Sequence, residues 1–301
     1  MGTIRGVKSL LTAVVASLLM ICPGDPVQIM FAQSQGTTPE QLEEVRQRLG
    51  LDQPLVKQYI AYLGRLLQGD LGVTIRGEQP VLQLLLLRLP NTLILAASAL
   101  LIASVIGLTF GFIAAYKRGS WLDTFLMTTA ILGVSMPHFW LGLILLFYFA
   151  VHLGWFPVAG SGFPNLVLPA LTLGLTNAAI IARLTRSSMI DIFDQDFIRT
   201  AHAKGLPARL VLLRHAIKGG LLPVVSYLGP ATAGILTGSL VIERIFAIPG
   251  TGSHFVNSAL NRDYTLSMGV TILYTVLVYG LNTVVDLAYT FLDPRIKLEE
   301  S

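Results

Sequence analysis

Apolar residues run through this chain in long unbroken stretches, with the charged ones gathered between them. Five stretches contain no Asp, Glu, Lys or Arg: Ser9–Gly24, Leu89–Tyr116, Thr124–Ala182, Gly219–Ile242 and Tyr264–Val285. A bilayer core of about 30 Å takes about 20 apolar residues of helix. Leu89–Tyr116, Gly219–Ile242 and Tyr264–Val285 therefore each predict one span. Thr124–Ala182 has room for two, and the turn between them falls around Trp155, among Gly154, Pro157, Gly160, Gly162 and Pro164. The runs are continuous rather than alternating, which favours helices over a barrel. The pattern thus predicts spans at roughly 7–22, 92–116, 122–152, 166–186, 221–242 and 267–291, an all-α polytopic bundle of about six transmembrane helices.

The first run is the shortest. Arg5 and Lys8 precede Ser9–Ile21, and at 1.5 Å per residue this covers only about 20 Å. A retained short span, a signal peptide, or a start set inside the span all fit that arrangement. No small-x-small cleavage site follows, and Ile21 and Pro23 make Cys22 a poor lipoprotein site.

Between the spans, two soluble segments carry helix signals. Thr38-Pro39-Glu40-Gln41 supplies an N-cap, a first-turn proline and a capping-box partner; Gly50 supplies a stop. Leu42, Val45 and Leu49 share one face of that helix, and a second helix runs from Pro54 to about Gln68. In the 187–219 loop, Phe197, Ala201, Ala203, Leu206, Leu210 and Leu213 alternate with Arg199, Lys204, Arg209 and Arg214. Gly205-Leu206-Pro207 divides this loop into two short helices. By itself the segment reads first as a solvated amphipathic connector and next as an interfacial helix on anionic lipid.

Composition agrees and adds exclusions. The chain is 53% hydrophobic and 13% charged, too apolar for a soluble or disordered protein. A net charge of +4 is too small to argue for nucleic acid, and the single Cys22 excludes an intramolecular disulfide or a cysteine metal cage. The distribution of cations is more telling. Arg5, Lys8, Lys117, Arg118, Arg183, Arg186, Arg199, Lys204, Arg209, Arg214, Lys218, Arg295 and Lys297 fall on one side, against Arg244 and Arg262 in the short loops of the other. Both termini are therefore expected in the cytoplasm. The five histidines show no H-E-x-x-H spacing, and there is no G-x-S-x-G and no phosphate-binding G-x-x-x-x-G-K-[ST].

At the 187–219 loop the residues become specific. Phe197-Ile198-Arg199-Thr200-Ala201-His202-Ala203-Lys204-Gly205-Leu206, followed by Leu213-Arg214-His215-Ala216 and Leu222-Pro223, resembles the cytoplasmic EAA loop of ATP-binding-cassette importer permeases, in particular the dipeptide/oligopeptide subfamily. Further matches follow in the family's order. They are Pro23-Gly24-Asp25-Pro26, Leu49-Gly50-Leu51-Asp52-Gln53-Pro54-Leu55, Gln68-Gly69-Asp70-Leu71-Gly72 and Arg183–Met189. Glu243, Phe246, Ile248–Gly252, Asn261–Tyr264, Asp286–Tyr289 and Leu292–Ile296 continue the series. Three positions depart from it. Arg199 replaces the general pattern's Glu, as is usual in the peptide subfamily, and Thr251 replaces a more usual Leu. His202 stands where that subfamily usually has Arg, which makes any anion contact there weaker and pH-dependent.

The resemblance implies a type I importer permease fold with no cofactor, metal or catalytic site of its own. It implies a second homologous permease subunit, two ATPase subunits and an extracytoplasmic solute-binding protein as partners, with membrane lipid around the spans of the cell (inner) membrane. Residues 1–22 would be the cytoplasmic N-terminus and first span, 23–91 the outside loop, 92–291 the permease domain with its coupling loop at 187–219, and 292–301 the cytoplasmic tail. Arg199, Thr200, Ala201, His202, Ala203, Lys204, Gly205, Leu206 and Leu210 would couple to the ATPases. There the small residues would allow close approach, the leucines would anchor, and Gly205 would adopt a conformation closed to residues with a Cβ. Gly205→Glu or Ala201→Arg is expected to abolish transport-coupled ATPase activity without stopping insertion.

Polar residues within spans are candidates for the translocation path: Ser135, His138, Asn177, Thr232, Thr237, Asn282 and Asp286. Asp286 also suits a purely structural role one turn from Asn282, and His138 beside Pro137 suits a helix break. Gly107 and Gly111 form a small-xxx-small pair for close helix packing. Peptide is the expected solute; nickel chelates, glutathione and sugars are the alternatives in the family. A secondary transporter or channel is the rival on composition alone, but Thr124–Ala182 offers no intramembrane charge for ion coupling.

Overall fold

A computed structural model describes Glu43, Gln47 and residues 52–74, 79–160, 162–207, 210–261 and 263–292. The predicted first span, most of the predicted 38–50 helix and the tail beyond 292 lie outside these residues. Among them the structure is helical. In chain order it comprises α1 (Leu55–Leu67), α2 (Val81–Tyr116), α3 (Trp121–Ser135), α4 (His138–Leu145), α5 (Phe163–Phe193), α6 (Asp196–Ala203), α7 (Ile217–Gly220), α8 (Leu222–Ile245), α9 (Thr251–Leu260) and α10 (Tyr264–Leu292). Wider π-helical turns extend α4 through Leu146–His152 and precede α7 at Val211–Ala216.

Four helices, α2, α5, α8 and α10, are each long and apolar enough to cross a membrane, and the α3–α4 pair makes a fifth crossing if it counts as one span. The pair corrects the prediction of one continuous span at 122–152: α3 and α4 meet at 105°. Pro137 has no N–H to donate and pushes Met136 out of helical geometry to φ −87°, ψ 126°.

The second correction is at α2, which begins at Val81 rather than near 92 and runs for 36 residues through Arg88 and Pro90. One proline costs a helix a single hydrogen bond. Burial of Val81 and Leu85 in a cluster with Leu266 and Val270 outweighs it. At 1.5 Å per residue α2 is about 54 Å long, well beyond the bilayer core.

The centre of the bundle is the α2–α5 pair. Ala99, Ala103, Gly107 and Gly111 line the buried side of α2. A methyl group at Gly107 would sit 2.8 Å from the Ala178 carbonyl oxygen, and one at Gly111 would sit 2.6 Å from that of Ala182. The two backbones approach as a small-xxx-small pattern allows, where lipid offers no hydrophobic drive and packing must hold the helices together. Around this pair, α3 packs on α5, α8 on α5 and α2, and α10 on α8.

Candidate functional site

α6 projects from the end of the bundle that carries Lys117 and Arg118, directly after α5. Its eight residues are too few to be stable alone, and packing on one face holds them. Ile198 and Ala201 are buried in a cluster with Ala115, Met189, Val211 and Ala216, and Leu206 packs against its edge. The turn that ends α6 is a Schellman motif: Leu206 N–H donates to Ala201 O at 3.3 Å and Gly205 N–H to His202 O at 2.9 Å. That turn requires a left-handed residue, and Gly205 supplies it at φ +75°. Ser188 Oγ on α5 donates to Gly220 O at 2.6 Å, returning the chain to the same point.

Phe197, Arg199, Thr200, His202, Ala203, Lys204, Gly205 and Leu210 face outward, so eight side chains or backbone positions make an open surface around a short, anchored helix. Ala201 does not join them: it is 5% exposed and packs inward. Arginine there would disrupt the cluster beneath α6 rather than block its outer face. Arg199 pairs with Asp196 at 3.3 Å with both groups in solvent, a contact worth little. Its charge therefore remains available to a partner surface.

The path candidates do not all converge. His138 Nδ1 lies 3.0 Å from Thr176 Oγ1, linking α4 to α5. Beside it in sequence, Asn177 Oδ1 accepts from the Tyr227 hydroxyl at 3.1 Å, linking α5 to α8. Ser135, Thr232 and Thr237 donate their hydroxyl protons to carbonyls of their own helices, at 2.9, 2.7 and 2.8 Å. Ser135 and Thr237 are exposed, Thr232 is buried, and Asn282 is half-buried against Gly229. Asp286 lies on α10, but its side chain is outside the described residues.

Two sites escaped sequence reasoning. At the Arg118 end, Arg186 of α5 donates to Asp123 of α3 through both Nε (2.6 Å) and Nη2 (2.7 Å). At the opposite end, the carboxylate of Glu243 is completely buried. Thr92 Oγ1 donates to Glu243 Oε1 at 2.8 Å and Gly252 N–H to Oε2 at 2.7 Å. Thr251 N–H donates to Thr92 Oγ1 at 3.0 Å, and Thr251 Oγ1 lies 2.9 Å from the Tyr274 hydroxyl. One buried acid thus joins α2, α8, α9 and α10. The intervening turn closes on it with Ile248 N–H donating to Glu243 O at 2.9 Å. Asp123 carried a faint signal, the Ser120-x-x-Asp123 capping spacing; Glu243 carried only its place in a family motif.

Residues 107–298 match the family described as binding-protein-dependent transport system inner membrane component, and residues 6–96 match that family's N-terminal region. The chain belongs to this family. This permease is 42% identical over 292 residues to a dipeptide transport system permease protein of Bacillus subtilis (strain 168), covering 96% of this chain and 94% of the relative. It is 40% identical over 284 residues to an oligopeptide transport system permease protein of Haemophilus influenzae, covering 93% and 92%. Its fold matches the MetNI methionine ABC transporter in inward-facing conformations, with TM-score 0.60 and 19% identity over 70% of this chain and 97% of that one. An amino acid ABC transporter solved with histidines matches at TM-score 0.56 and 15% identity, over 69% and 93%. The expected importer-permease fold is therefore the fold of this chain.

Proposed function

We propose that this permease is one of two homologous membrane subunits of an ATP-driven importer that carries peptides into the cytoplasm. The observation that carries this reading is α6: a short helix fixed on its inner face and open on its outer one, joined through only Asp194 and Gln195 to the α5 helix at the centre of the bundle. Such a helix is a rigid lever. An ATPase subunit that grips Phe197, Arg199, Thr200, His202, Ala203, Lys204 and Leu210 and moves on closing would displace α5, and with it the α2–α5 pair. Alternating access follows from rigid-body motion of this kind. ATP is hydrolysed on the partner subunits, and a binding protein delivers solute to the Gly250 end.

The charge bias supports this orientation, with α6 and both termini on the cytoplasmic side. Peptide as the solute rests on the names of the relatives, which transport dipeptides and oligopeptides.

The test is reconstitution of the permease with its partner permease, ATPases and binding protein in liposomes. Uptake is scored against a panel of di-, tri- and longer peptides, glutathione, a nickel chelate and a disaccharide. Uptake of peptide that needs ATP and survives a proton ionophore is the expected result. Uptake without ATP would leave a secondary transporter; uptake of another panel member alone would replace the peptide assignment.

A further inference from the structure

Two ion pairs tie the turn between α2 and α3 to the last turns of α5, with their charges crossed. Arg186 of α5 forks onto Asp123 of α3, and Arg118 of the turn donates to Asp194, the C-cap of α5, at 3.0 Å. The second pair is exposed on both sides and contributes little rigidity. The first is different. The Asp123 side chain is 5% exposed, and its Oδ2 also accepts from Gly119 N–H at 3.0 Å. Its own N–H donates to Ser120 Oγ at 3.3 Å, so the cap of α3 and the ion pair share one residue. A bidentate guanidinium–carboxylate contact fixes an angle as well as a distance.

The rest of α3 presents most of its side chains outward. Besides Asp123 only Leu126 and Ala130 are buried on it, and no other ion pair joins α3 to α5 among the described residues. α5 ends about two helical turns beyond Arg186, at Phe193, and α6 begins two residues after Asp194. A displacement of α6 is therefore carried to Arg186 through the last two turns of α5. Beyond the pair, α3 continues through the Pro137 bend into α4, whose His138 touches Thr176 in the middle of α5.

We propose that the Asp123–Arg186 pair is a positioning contact that makes α3 move in step with the coupling helix, so that the stroke applied at α6 reaches the α3–α4 limb as well as α5. The inference rests on the coupling role proposed for α6 and names the joint through which that role extends. In this role Arg186 and Asp123 act through the helices they join.

The test uses the complete assembly in liposomes, in a Cys22→Ser background with spin labels on F125C of α3 and Q195C at the start of α6, where the exposed Gln195 side chain makes no cap hydrogen bond. In the parent assembly, trapping ATP leaves the distance between the labels unchanged while α6 moves relative to the other permease subunit. With R186K, which keeps the charge but loses the fork, that distance shifts by about 2 Å or more on ATP trapping. The ATP hydrolysed per tri-alanine imported also rises about threefold or more. D123N behaves like R186K, and the exchange D123R/R186D recovers part of the parent ratio.

An R186K assembly whose α3 stays in step with α6 would overturn the proposal, and so would L126A giving the same shift by loosening α3 without touching the pair. Loss of assembly in every ion-pair variant would make the pair a folding contact and the proposal wrong. An α6 that does not respond to ATP in the parent assembly would instead remove the coupling role itself, and the proposal with it.

Discussion

Two helix ends in this permease use the same backbone turn with different residues. α6 closes through Gly205 at φ +75°, and α8 closes through Ala247 at φ +50°, with Ile248 N–H donating to Glu243 O and Ala247 N–H to Arg244 O. A side chain with a Cβ pays about 1–2 kcal/mol in that conformation. Gly205→Ala should therefore loosen the end of α6 by about that amount, seen as faster amide exchange at Leu206 and weaker ATPase stimulation by the binding protein. Ala247→Gly should do the reverse for the turn before α9, raising the unfolding midpoint of the detergent-solubilised protein. Glu243 holds that strained turn. Glu243→Ala leaves the Gly252 N–H and the Thr92 hydroxyl without their acceptor, a loss of about 2–4 kcal/mol. Its unfolding midpoint should fall well below that of Glu243→Gln, which keeps one acceptor.

At the scale of helices, the α2–α5 contact decides the bundle. Gly107 and Gly111 sit where a methyl group would press on α5 backbone oxygens, and relief requires the helices to part. Gly107→Ala and Gly111→Ala should each cost about 1–3 kcal/mol through overpacking, measured as a lowered unfolding midpoint, and the double variant should cost more than either. Both glycines were legible in the sequence because a four-residue spacing of small residues puts them on one helix face. The bend between α3 and α4 was only half legible. Pro137 marks a break, but a proline can equally sit inside a helix that continues through it, as Pro90 does in α2. What separates the two is burial around the residue, which a single sequence does not display.

At the scale of the molecule, the positive charges and α6 share one end and Glu243 the other. This gives a topological prediction. In a Cys22→Ser background, K204C should react with a membrane-impermeant maleimide only from the cytoplasmic side, and L260C, highly exposed at the end of α9, only from the outside. Labelling of both from one face would contradict the assigned orientation. The exposed apolar belt of α2, α3, α4 and α10 is the surface presented to lipid and, in the assembly proposed above, to the second permease subunit. No soluble protein could leave Leu101, Val105, Phe125, Phe147 and Val276 so open.

The sequence by itself determined the helical class, the approximate place of the four long spans α2, α5, α8 and α10, the side bearing the charges and the loop that holds α6. These depend on local composition and periodicity, which a bilayer enforces strongly because every backbone polar group must be satisfied within a helix. The helix end at Gly205 was likewise written locally, in a glycine before Leu-Pro. Tertiary structure alone decided which face of α6 is open. Ala201 looked like a contact residue and is core, because Met189 and Val211 arrive beneath it from elsewhere in the chain. It also decided the partners of the buried charges. Asp123 and Arg186 lie 63 residues apart, and Thr92 and Glu243 lie 151 apart. Pairings across such separations depend on how helices stack, and no local pattern encodes them.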